Sequence, residues 1–408
     1  MKYIILTQYY PPETGAPQNR LHSLAKNLIK LGHAVEVLTA MPNYPKSEVF
    51  PMYRGRMYYF EYIEKIPVHR TWIYVSKKPG ILRRLLNYFS FVFTSILFSF
   101  KLSKADILIV ESPPLFLSWS AFIIGKFKGA KVVFNVSDLW PESAEKLGII
   151  TNKFFLWLAS LLESYSYKKA ILVSGQTQGI VQSVSTRFPE VKSCWVPNGI
   201  DTDVFENIVT DHSWKKQYSI EDKKVFMYAG IIGHAQSLEV IIKAASGLKQ
   251  VKDIAFVIIG DGPEKSRLQL LNNELNAGVI FIPNTPKLTV LSWIASSHCF
   301  IVPLKRLDLF KGAIPSKLFD PLAVGVPIIL GVEGEALELF IKTNCCGWNF
   351  EPENEIDLIR VIKEVLINDE LVKRYGSSGK EYVNRNFDRS QIASVFHNTI
   401  ESNYFEKI

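Results

Sequence analysis

Cysteine is scarce in this chain, and its arrangement excludes the common disulfide and zinc motifs. The 408 residues contain four cysteines, Cys194, Cys299, Cys345 and Cys346. None belongs to a C-x-x-C pair or shows the spacing of metal ligands. We therefore expect no bound metal and no disulfide framework, as is typical of a protein in the reducing cytoplasm.

The sequence also lacks a secretory leader, low-complexity segments and short repeats. Met1 and Lys2 lead directly into an apolar run, without the basic and apolar regions of a signal peptide. A length of 408 residues is too great for one ordinary core, and a hydrophobic content of 48% fits a globular protein. We expect a cytoplasmic protein of two domains.

Acidic residues are few in the N-terminal half. Residues 1–190 contain 23 Lys and Arg against 12 Asp and Glu, a net charge of +11, whereas the remaining residues contain 24 against 27, a net charge of −3. The first half is therefore expected to meet an anionic partner. No nucleic-acid recognition motif or interleaved basic and aromatic pattern is present, so nucleic acid is not the expected partner.

Residues 81–100 favour a membrane surface as that partner. The segment ILRRLLNYFSFVFTSILFSF is strongly apolar, has two arginines near its start and is followed by Lys101 and Lys104. It is too short to span a bilayer securely, which takes roughly 20 apolar residues, but such a helix can lie among lipid headgroups. We assign Arg83, Arg84, Phe89, Phe91 and Phe93 to peripheral contact with the inner face of the plasma membrane. A buried core helix is the alternative.

Short apolar runs alternate with helical stretches along the chain, and this pattern occurs twice. It is typical of parallel sheets with crossover helices and predicts an α/β fold in each half. A break near residues 189–197 precedes the turn signal of Asn198 and Gly199, which places the predicted domains at 1–190 and 191–387. The predicted strands are 3–6, 34–38, 107–110, 131–135, 171–173, 224–228, 255–259, 279–281, 299–302 and 327–330.

Each half carries a glycine-bearing loop directly after its first strand. The first loop contains Gly15 and Ala16, and the second contains Gly230, Gly233 and His234. Ligands of open α/β sheets bind beyond the carboxyl ends of the strands, so two such loops predict a binding cleft between domains. Taken alone, each loop is also consistent with a simple tight turn.

Residues 311–327 (KGAIPSKLFDPLAVGVP) predict a loop, a helix start and an apolar strand. Ser316 and Lys317 fall where free backbone N–H groups and the helix dipole favour phosphate, and Lys317 adds a formal charge. Asp320 lies on the same helical face and could accept hydrogen bonds from a ribose diol. The pattern suits a nucleoside diphosphate sugar, although an ordinary capped surface helix is the alternative.

Six segments together resemble the bacterial glycosyltransferase family 4 enzymes of O-antigen, capsule and colanic acid clusters. They occur in the order of that family and cover nearly the whole chain. The segments are 10–17 (YPPETGAP), 32–35 (GHAV), 138–143 (DLWPES), 196–201 (VPNGID), 260–263 (GDGP) and 315–319 (PSKLF).

The resemblance implies a GT-B fold, in which two Rossmann-like domains face a central cleft. It further implies that the acceptor lies on the N-terminal domain, the donor nucleotide lies mainly on the C-terminal domain, and a last helix at about 388–408 crosses back to the first domain. Such enzymes usually retain the anomeric configuration and need no metal. Donor binding is assigned to Gly15, Ala16, Gly230, Gly233, His234, Gly262, Pro283, Ser316, Lys317 and Asp320.

The chain departs from the family pattern at three places. Many members have two glutamates separated by seven residues, where this chain has Gly312 and Asp320. The basic residues that often follow the glycine of the second-domain loop are absent, which leaves Lys317 as the main cation, with Lys305 and Arg306 as further candidates. The usual histidine before the central aspartate is Ser137, so Asp138 becomes the candidate that orients or deprotonates the acceptor hydroxyl.

Three functions are consistent with these observations. The first is a membrane-associated enzyme that transfers a sugar, expected to be an N-acetylated hexosamine or related hexose, from a UDP-sugar to a polyprenyl-diphosphate-linked saccharide during assembly of O-antigen, lipopolysaccharide or capsule. The second is the same fold acting on a soluble acceptor. The third is a non-catalytic nucleotide-sugar-binding protein, for which the missing cations would be the argument. No cofactor is expected beyond the donor substrate.

Overall fold

The computed structural model describes residues 1–44, 46–78, 80–146, 148 and 150–405. The chain forms two compact units. The first comprises residues 1–198 together with the helix that begins at Arg389, and the second comprises residues 199–388.

A mixed sheet forms the centre of the first unit. Its strands are β1 (Lys2–Leu6), β2 (Ala34–Ala40), β3 (Tyr58–Ile63), β4 (Ile66–Thr71), β5 (Ile107–Ser112), β6 (Lys131–Val136), β7 (Leu172–Gly175) and β8 (Ser193–Trp195). Within the described residues the spatial order is β3-β4-β2-β1-β5-β6-β7-β8, and only β3 runs antiparallel to its neighbour. The carboxyl ends of the parallel strands therefore lie at one edge, where ligands bind in such sheets.

Helices cover both faces of this sheet. They are α1 (Ala16–Lys30), α2 (Ile81–Phe98), α3 (Leu117–Lys128), α4 (Glu142–Lys146), α5 (Lys153–Lys169) and α6 (Gln178–Arg187), with short 3-10 turns at Pro51–Tyr53 and Ser99–Lys101. Side chains alternate between the two faces of each strand, which yields two separate apolar clusters. Ile4 and Val110 belong to one cluster, and Ile5 and Ile109 belong to the other.

The second unit is a parallel sheet with its own core. Its strands are β9 (Lys224–Ala229), β10 (Ile254–Ile259), β11 (Ile280–Ile282), β12 (Cys299–Pro303), β13 (Ile328–Gly331) and β14 (Gly347–Asn349), in the order β11-β10-β9-β12-β13-β14. The helices are α7 (Thr202–Glu206), α8 (Trp214–Gln217), α9 (Glu239–Gly247), α10 (Lys265–Glu274), α11 (Lys287–Ile294), α12 (Phe319–Ala323), α13 (Glu355–Leu366) and α14 (Asp369–Asn386). Short 3-10 turns occur at His234–Gln236, Asp308–Gly312 and Ser316–Leu318, and a π-helix at Leu337–Thr343.

The last helix, α15 (Arg389–Phe405), belongs to the first unit and packs against α1. Phe396 and Ile400 are buried in the cluster that contains Ile5. The hydroxyl of Tyr3 lies 2.6 Å from Nδ1 of His397, and Nε2 of His397 lies 3.1 Å from Nε2 of His33. The helix is therefore joined to the first sheet by both apolar contacts and a buried polar cluster.

All ten predicted strands are present, with ends that differ by one or two residues. Four further strands, β3, β4, β8 and β14, have no counterpart in the prediction. Strand β8 pairs with β7, so the chain remains in the first unit as far as Asn198. The expected boundary at residue 190 therefore lies several residues too early, because residues 193–195 extend the first sheet.

Candidate active site

Glycine loops pack closely together at the carboxyl edge of the second sheet. Gly230 directly follows β9, Gly262 follows β10, and Pro283 follows β11. A Cβ atom at Gly260 would lie 2.0 Å from the carbonyl oxygen of Gly230, and one at Gly262 would lie 2.3 Å from that of Ile232. Only glycine permits this approach of two backbones, which leaves open backbone at the edge where ligands bind.

Lys317 lies at this edge and reaches the strand next to it. Its Nζ atom is 2.8 Å from the hydroxyl of Tyr228 and 4.6 Å from the centroid of that ring. A Cβ atom at Gly230 would lie 3.9 Å from the same Nζ. The Tyr228 hydroxyl donates to the carbonyl oxygen of Ile231 at 2.6 Å, so the tyrosine is fixed from both sides.

The Lys317 ammonium has no carboxylate partner among the described residues. Part of the side chain reaches solvent, but protein surrounds the ammonium group, and this desolvation lowers the pKa of Lys317 to about 7. A bound diphosphate would supply the missing negative charge. The arrangement is therefore suited to an anionic ligand.

The helix next to Lys317 is shorter than the sequence predicts. Ser316–Leu318 is a 3-10 turn, and α12 has five residues before Gly325 turns the chain with a φ of 83°. The helix-dipole contribution expected at Ser316 is correspondingly small. Asp320 lies 3.5 Å from Nζ of Lys287, so a second cation that the sequence did not indicate lies beside the predicted ribose carboxylate.

Other predicted groups at this edge already have protein partners. Arg306 pairs with Glu351 at 2.6 Å and with Glu333 at 3.2 Å, which reduces its value as a diphosphate ligand. Nδ1 of His234 lies 2.8 Å from Oε1 of Glu264, although the imidazole is largely exposed. Lys317 consequently remains the principal candidate for the donor phosphates.

Asp138 follows β6 at the carboxyl edge of the first sheet. The residue is exposed along one side, yet enough protein surrounds the carboxyl for desolvation to raise its pKa, and the nearby Ser143 acts in the opposite direction. A raised pKa suits a group that must accept a proton from a sugar hydroxyl. The acceptor-side role of Asp138 stays a prediction from the sequence.

A buried polar network lies directly behind Asp138. Nη2 of Arg20 is 2.5 Å from Oε1 of Glu111, and Nδ2 of Asn135 is 2.5 Å from the other carboxylate oxygen. Ser137 donates to Glu111 and accepts from Nη2 of Arg20 at 3.0 Å and from Nε2 of Gln176 at 2.5 Å. The network therefore holds the residue that precedes Asp138 from three directions.

Sequence reasoning missed Arg20 and Glu111. Their side chains are 7% and 5% exposed, which is unusual for charged residues and requires a partner. Glu111 interrupts the apolar strand ILIVES, and this buried acid was the only local signal. Arg20 is 91 residues away along the chain, so its pairing could not be read from spacing.

Gly15 and Ala16 lie in the first unit, at the start of α1. Glu13, in the same loop, accepts hydrogen bonds from the backbone N–H groups of Tyr10 at 3.1 Å, Asn43 at 2.8 Å and Tyr44 at 2.9 Å. These bonds tie the loop after β1 to the loop after β2. Glu13 is therefore a structural residue of the YPPETGAP segment.

The membrane assignment of Phe91 is wrong, because this side chain is fully buried in the core of the first unit. Phe93 is 66% exposed, and Phe89 is 38% exposed. The helical stretch Ile81–Lys101 is long and apolar enough to cross a bilayer by length and composition alone, and 22% of it is buried in the protein. One side packs against the sheet and the other is open.

The exposed side of α2 continues over two further helices. Phe89 lies 6.0 Å from Trp119 of α3, and Phe122 of α3 lies 5.7 Å from Tyr165 of α5, measured between ring centroids. We call this surface the apolar face. Its exposed members are Leu82, Leu86, Phe89, Phe93 and Leu97 on α2, Trp119, Ile123 and Phe127 on α3, and Phe154, Phe155, Trp157, Leu158, Leu161 and Tyr165 on α5.

No group of three or more His, Cys, Asp or Glu side chains that could hold a metal ion occurs in the described part of the chain.

The two units match two family profiles in order. The profile described as glycosyl transferase 4-like domain matches residues 15–199, and the profile described as glycosyl transferases group 1 matches residues 210–382. Each match lies in one unit almost entirely. The chain belongs to the bacterial family 4 type of glycosyltransferase, with a GT-B fold.

Two curated relatives agree with this assignment. The chain is 26% identical to WcaI of Escherichia coli K12, named as a candidate colanic acid biosynthesis glycosyl transferase, over 98% of this chain and 100% of the relative. It is 25% identical to WbjE of Pseudomonas aeruginosa, named as a candidate glycosyltransferase, over 71% of this chain and 74% of the relative.

Solved structures of similar fold are much more distant in sequence. Sucrose-phosphate synthase from Thermosynechococcus elongatus has a TM-score of 0.77 at 13% identity, with complete coverage of both chains. HepE of Anabaena, solved with UDP and glucose, has a TM-score of 0.73 at 15% identity over 98% of this chain and 100% of that chain. These similarities establish the fold.

Proposed function

We propose that this glycosyltransferase moves a sugar, an N-acetylated hexosamine or related hexose, from a UDP-sugar to a polyprenyl-diphosphate-linked saccharide. The product would be an intermediate in assembly of a surface polysaccharide such as O-antigen or capsule. The observation that carries the donor half of this proposal is Lys317. This cation lies among the glycine loops at the carboxyl edge of the second sheet and has no carboxylate partner in the part of the chain that the structure describes.

The chemistry of transfer explains why this cation matters. Negative charge develops on the departing diphosphate while positive charge develops on the anomeric carbon, so a fixed cation near the diphosphate stabilises the transition state. Lys317 and the backbone N–H groups of Gly233 and His234 would supply that stabilisation. Asp138 would orient or deprotonate the acceptor hydroxyl. Complexes of HepE with UDP and with UDP-glucose support a UDP-sugar as the donor.

The acceptor half of the proposal rests on the first unit. Its apolar face adjoins basic residues, and residues 1–190 carry a net charge of +11. Apolar contact and electrostatic attraction together can hold a protein on an anionic bilayer, although neither is durable alone. We infer that the apolar face binds the inner surface of the plasma membrane. The membrane would then present a lipid-linked acceptor directly to the enzyme.

A transfer assay tests the proposed function. Purified protein is incubated with a panel of UDP-sugars and lipid-linked acceptor extracted from membranes, and labelled product is separated from free sugar. We expect transfer without added metal and retention of the anomeric configuration, read by NMR. Lys317→Met should reduce transfer by about 100-fold or more, the scale of losing one oriented transition-state group.

Two results would favour an alternative function. Transfer to a water-soluble sugar at a higher rate than to the lipid-linked acceptor would favour the soluble-acceptor alternative. Binding of UDP-sugars without transfer or hydrolysis in any combination would identify a nucleotide-sugar-binding protein instead.

A further inference from the structure

A polar cavity lies at one end of the apolar face, outside the sites described above. Its volume is about 530 Å³, within the range of small-molecule binding sites. Its walls come from the loops after β1 and β2, the segment that follows β4, and the first two turns of α2. β1, β2 and β4 are parallel, so the cavity opens at the carboxyl edge of the sheet, the same edge as Asp138.

The cavity is strongly basic. Lys77, Lys78, Arg83 and Arg84 all line it, and none of the other described residues of its wall is acidic. Lys77 pairs with Glu48 at 2.7 Å, which offsets part of its charge. Among the described residues, neither Lys78 nor Arg84 has a carboxylate within ion-pair distance, in contrast to Lys77. At least two formal positive charges therefore face this space without compensation.

The remaining walls supply hydrogen-bond donors and a positive helix end. Gly80, the residue before the first turn of α2, has no side chain that could cap the helix, and the N-terminus of this 18-residue helix carries partial positive charge. Nε2 of Gln8 donates to the hydroxyl of Tyr9 at 3.2 Å, which leaves the hydroxyl proton of Tyr9 free to donate into the cavity. Burial raises the pKa of Tyr9, so its hydroxyl stays protonated, and the nearby charge of Arg84 acts in the opposite direction.

We propose that this cavity binds the diphosphate of the lipid-linked acceptor. The inference rests on the proposed function, because it assigns a place to the substrate class named there. A polyprenyl-diphosphate-linked saccharide combines a long apolar chain, a dianionic diphosphate and a sugar. The first unit offers a surface for each of these parts. The polyprenyl chain would contact the apolar face, the diphosphate would bind in the basic cavity, and the sugar would lie along the sheet edge that holds Asp138.

The location of the cavity also fits the depth of the ligand in a membrane. Leu82 and Leu86 lie on the exposed side of the same first turns of α2, next to the basic residues that line the cavity. A helix that lies in the headgroup layer would hold its N-terminal cations where lipid phosphates are found. Charge-assisted bonds from lysine, arginine and a helix N-terminus are among the strongest that a protein can offer a phosphate.

Direct binding measurements test the proposal with defined probes. The full chain is saturated with UDP, so that the donor site is filled, and titrated by calorimetry with farnesyl diphosphate, inorganic pyrophosphate and farnesol. We expect farnesyl diphosphate to bind more tightly than either other probe. The double variant Lys78→Gln/Arg84→Gln should weaken binding of farnesyl diphosphate and of pyrophosphate by about tenfold or more, and leave farnesol unaffected.

The matched control removes the same charge from the far end of the same helix. Lys101 and Lys104 follow the other end of α2, an 18-residue helix about 27 Å long, so Lys101→Gln/Lys104→Gln should retain wild-type affinity for farnesyl diphosphate. Both double variants should bind phosphatidylglycerol vesicles more weakly, since bilayer attraction depends on total charge. Tyr9→Phe removes one hydroxyl and should weaken diphosphate binding by a smaller factor.

Several outcomes would overturn the assignment. Equal loss of farnesyl diphosphate binding in the two double variants would indicate general electrostatic attraction, and unchanged binding in both would place the diphosphate elsewhere. If sugar transfer to a lipid-linked acceptor occurs with an unaltered acceptor KM in Lys78→Gln/Arg84→Gln, the cavity assignment fails and the proposed function stands. If the expected binding pattern is found but no lipid-linked acceptor is glycosylated, the anion site stands and the proposed function fails.

Discussion

Nζ of Lys317 lies 2.8 Å from the hydroxyl of Tyr228, and this contact joins a loop cation to the central strand of the second sheet. The tyrosine cannot neutralise the lysine, because burial raises the pKa of Tyr228 well above its ordinary value. The same environment lowers the pKa of Lys317 to about 7. The pair is thus a positioned cation whose charge depends on pH in the physiological range.

We expect UDP binding to weaken as pH rises from 7 to 9. Binding of the anion requires protonated Lys317. Above the lowered pKa, each unit of pH reduces the protonated fraction by up to about tenfold. Calorimetry should show proton uptake on binding near pH 8. Lys317→Arg should flatten the profile, because arginine stays charged. A wild-type affinity that is constant over this range would separate Lys317 from the diphosphate.

Asp138→Asn should leave UDP affinity and folding intact while transfer falls by about 100-fold or more, since a general base contributes on that scale. Because burial raises the pKa of Asp138, the acid limb of acceptor kcat/KM should lie above the ordinary aspartate value of about 3.9 and vanish in the variant. Glu142→Gln, at a nearby half-buried acid that pairs with Lys146, is the control and should be silent. Loss of UDP binding in Asp138→Asn would contradict the acceptor-side role.

The buried Arg20–Glu111 pair should be important for stability. Arg20→Met leaves a buried carboxylate without its cation and should lower the free energy of unfolding by about 3–5 kcal/mol. Lys26→Met, on the same helix, removes an exposed pair with Glu64 and should cost less than about 1 kcal/mol. Denaturant unfolding measures both. Similar losses in the two variants would mean that the network behind Asp138 contributes no special stability.

Mild acid should destabilise the folded protein through the histidines at the contact between α15 and the first sheet. Burial is the main cause that lowers the pKa of His33 and His397, with the Met1 amino group acting in the same direction and Glu401 opposing it. The unfolded chain then binds more protons below its ordinary histidine pKa of about 6.5, so stability is lost as pH falls from 7 toward 5. His397→Gln should reduce the slope of a plot of the urea unfolding midpoint against pH. A slope equal to that of the wild type would assign acid sensitivity elsewhere.

Membrane binding should require both the charge and the exposed side of α2. Arg83→Glu/Arg84→Glu and Phe93→Ser/Leu97→Ser should each reduce sedimentation with phosphatidylglycerol vesicles, and rising salt should reduce wild-type binding. Lys216→Glu/Lys252→Glu makes the same charge change on exposed positions of the second unit and should have little effect. If vesicle binding survives both α2 variants and the protein is dimeric in solution, the apolar face is better explained as a contact between two copies.

Helical geometry explains why Phe91 and Phe93 differ. Residues two apart on an α-helix are separated by about 200°, so both cannot face one surface. The composition of residues 81–100 identified an apolar helix, but the choice of face depended on where the sheet lies. Counting positions around the helix would have shown that Phe91 and Phe93 belong to opposite sides.

Strand prediction succeeded where apolar β-branched residues are continuous and failed where they are not. β3 contains three tyrosines or phenylalanines at its start and an acid at Glu61, and the turn that follows uses Glu64 and Lys65 at positive φ in place of glycine. β8 and β14 have three residues each. Short and aromatic strands carry too little periodicity to be recognised without their neighbours.

The sequence by itself determined the class of fold, the family and the segments that form the two edges, because these depend on local periodicity, turn residues and short motifs. It also singled out Lys317 and Asp138. Only the tertiary structure decided the partners of those segments: Tyr228 for Lys317, Lys287 for Asp320 and Arg20 for Glu111. Such contacts join residues distant along the chain, and they form only where the packing of strands and helices brings the side chains together.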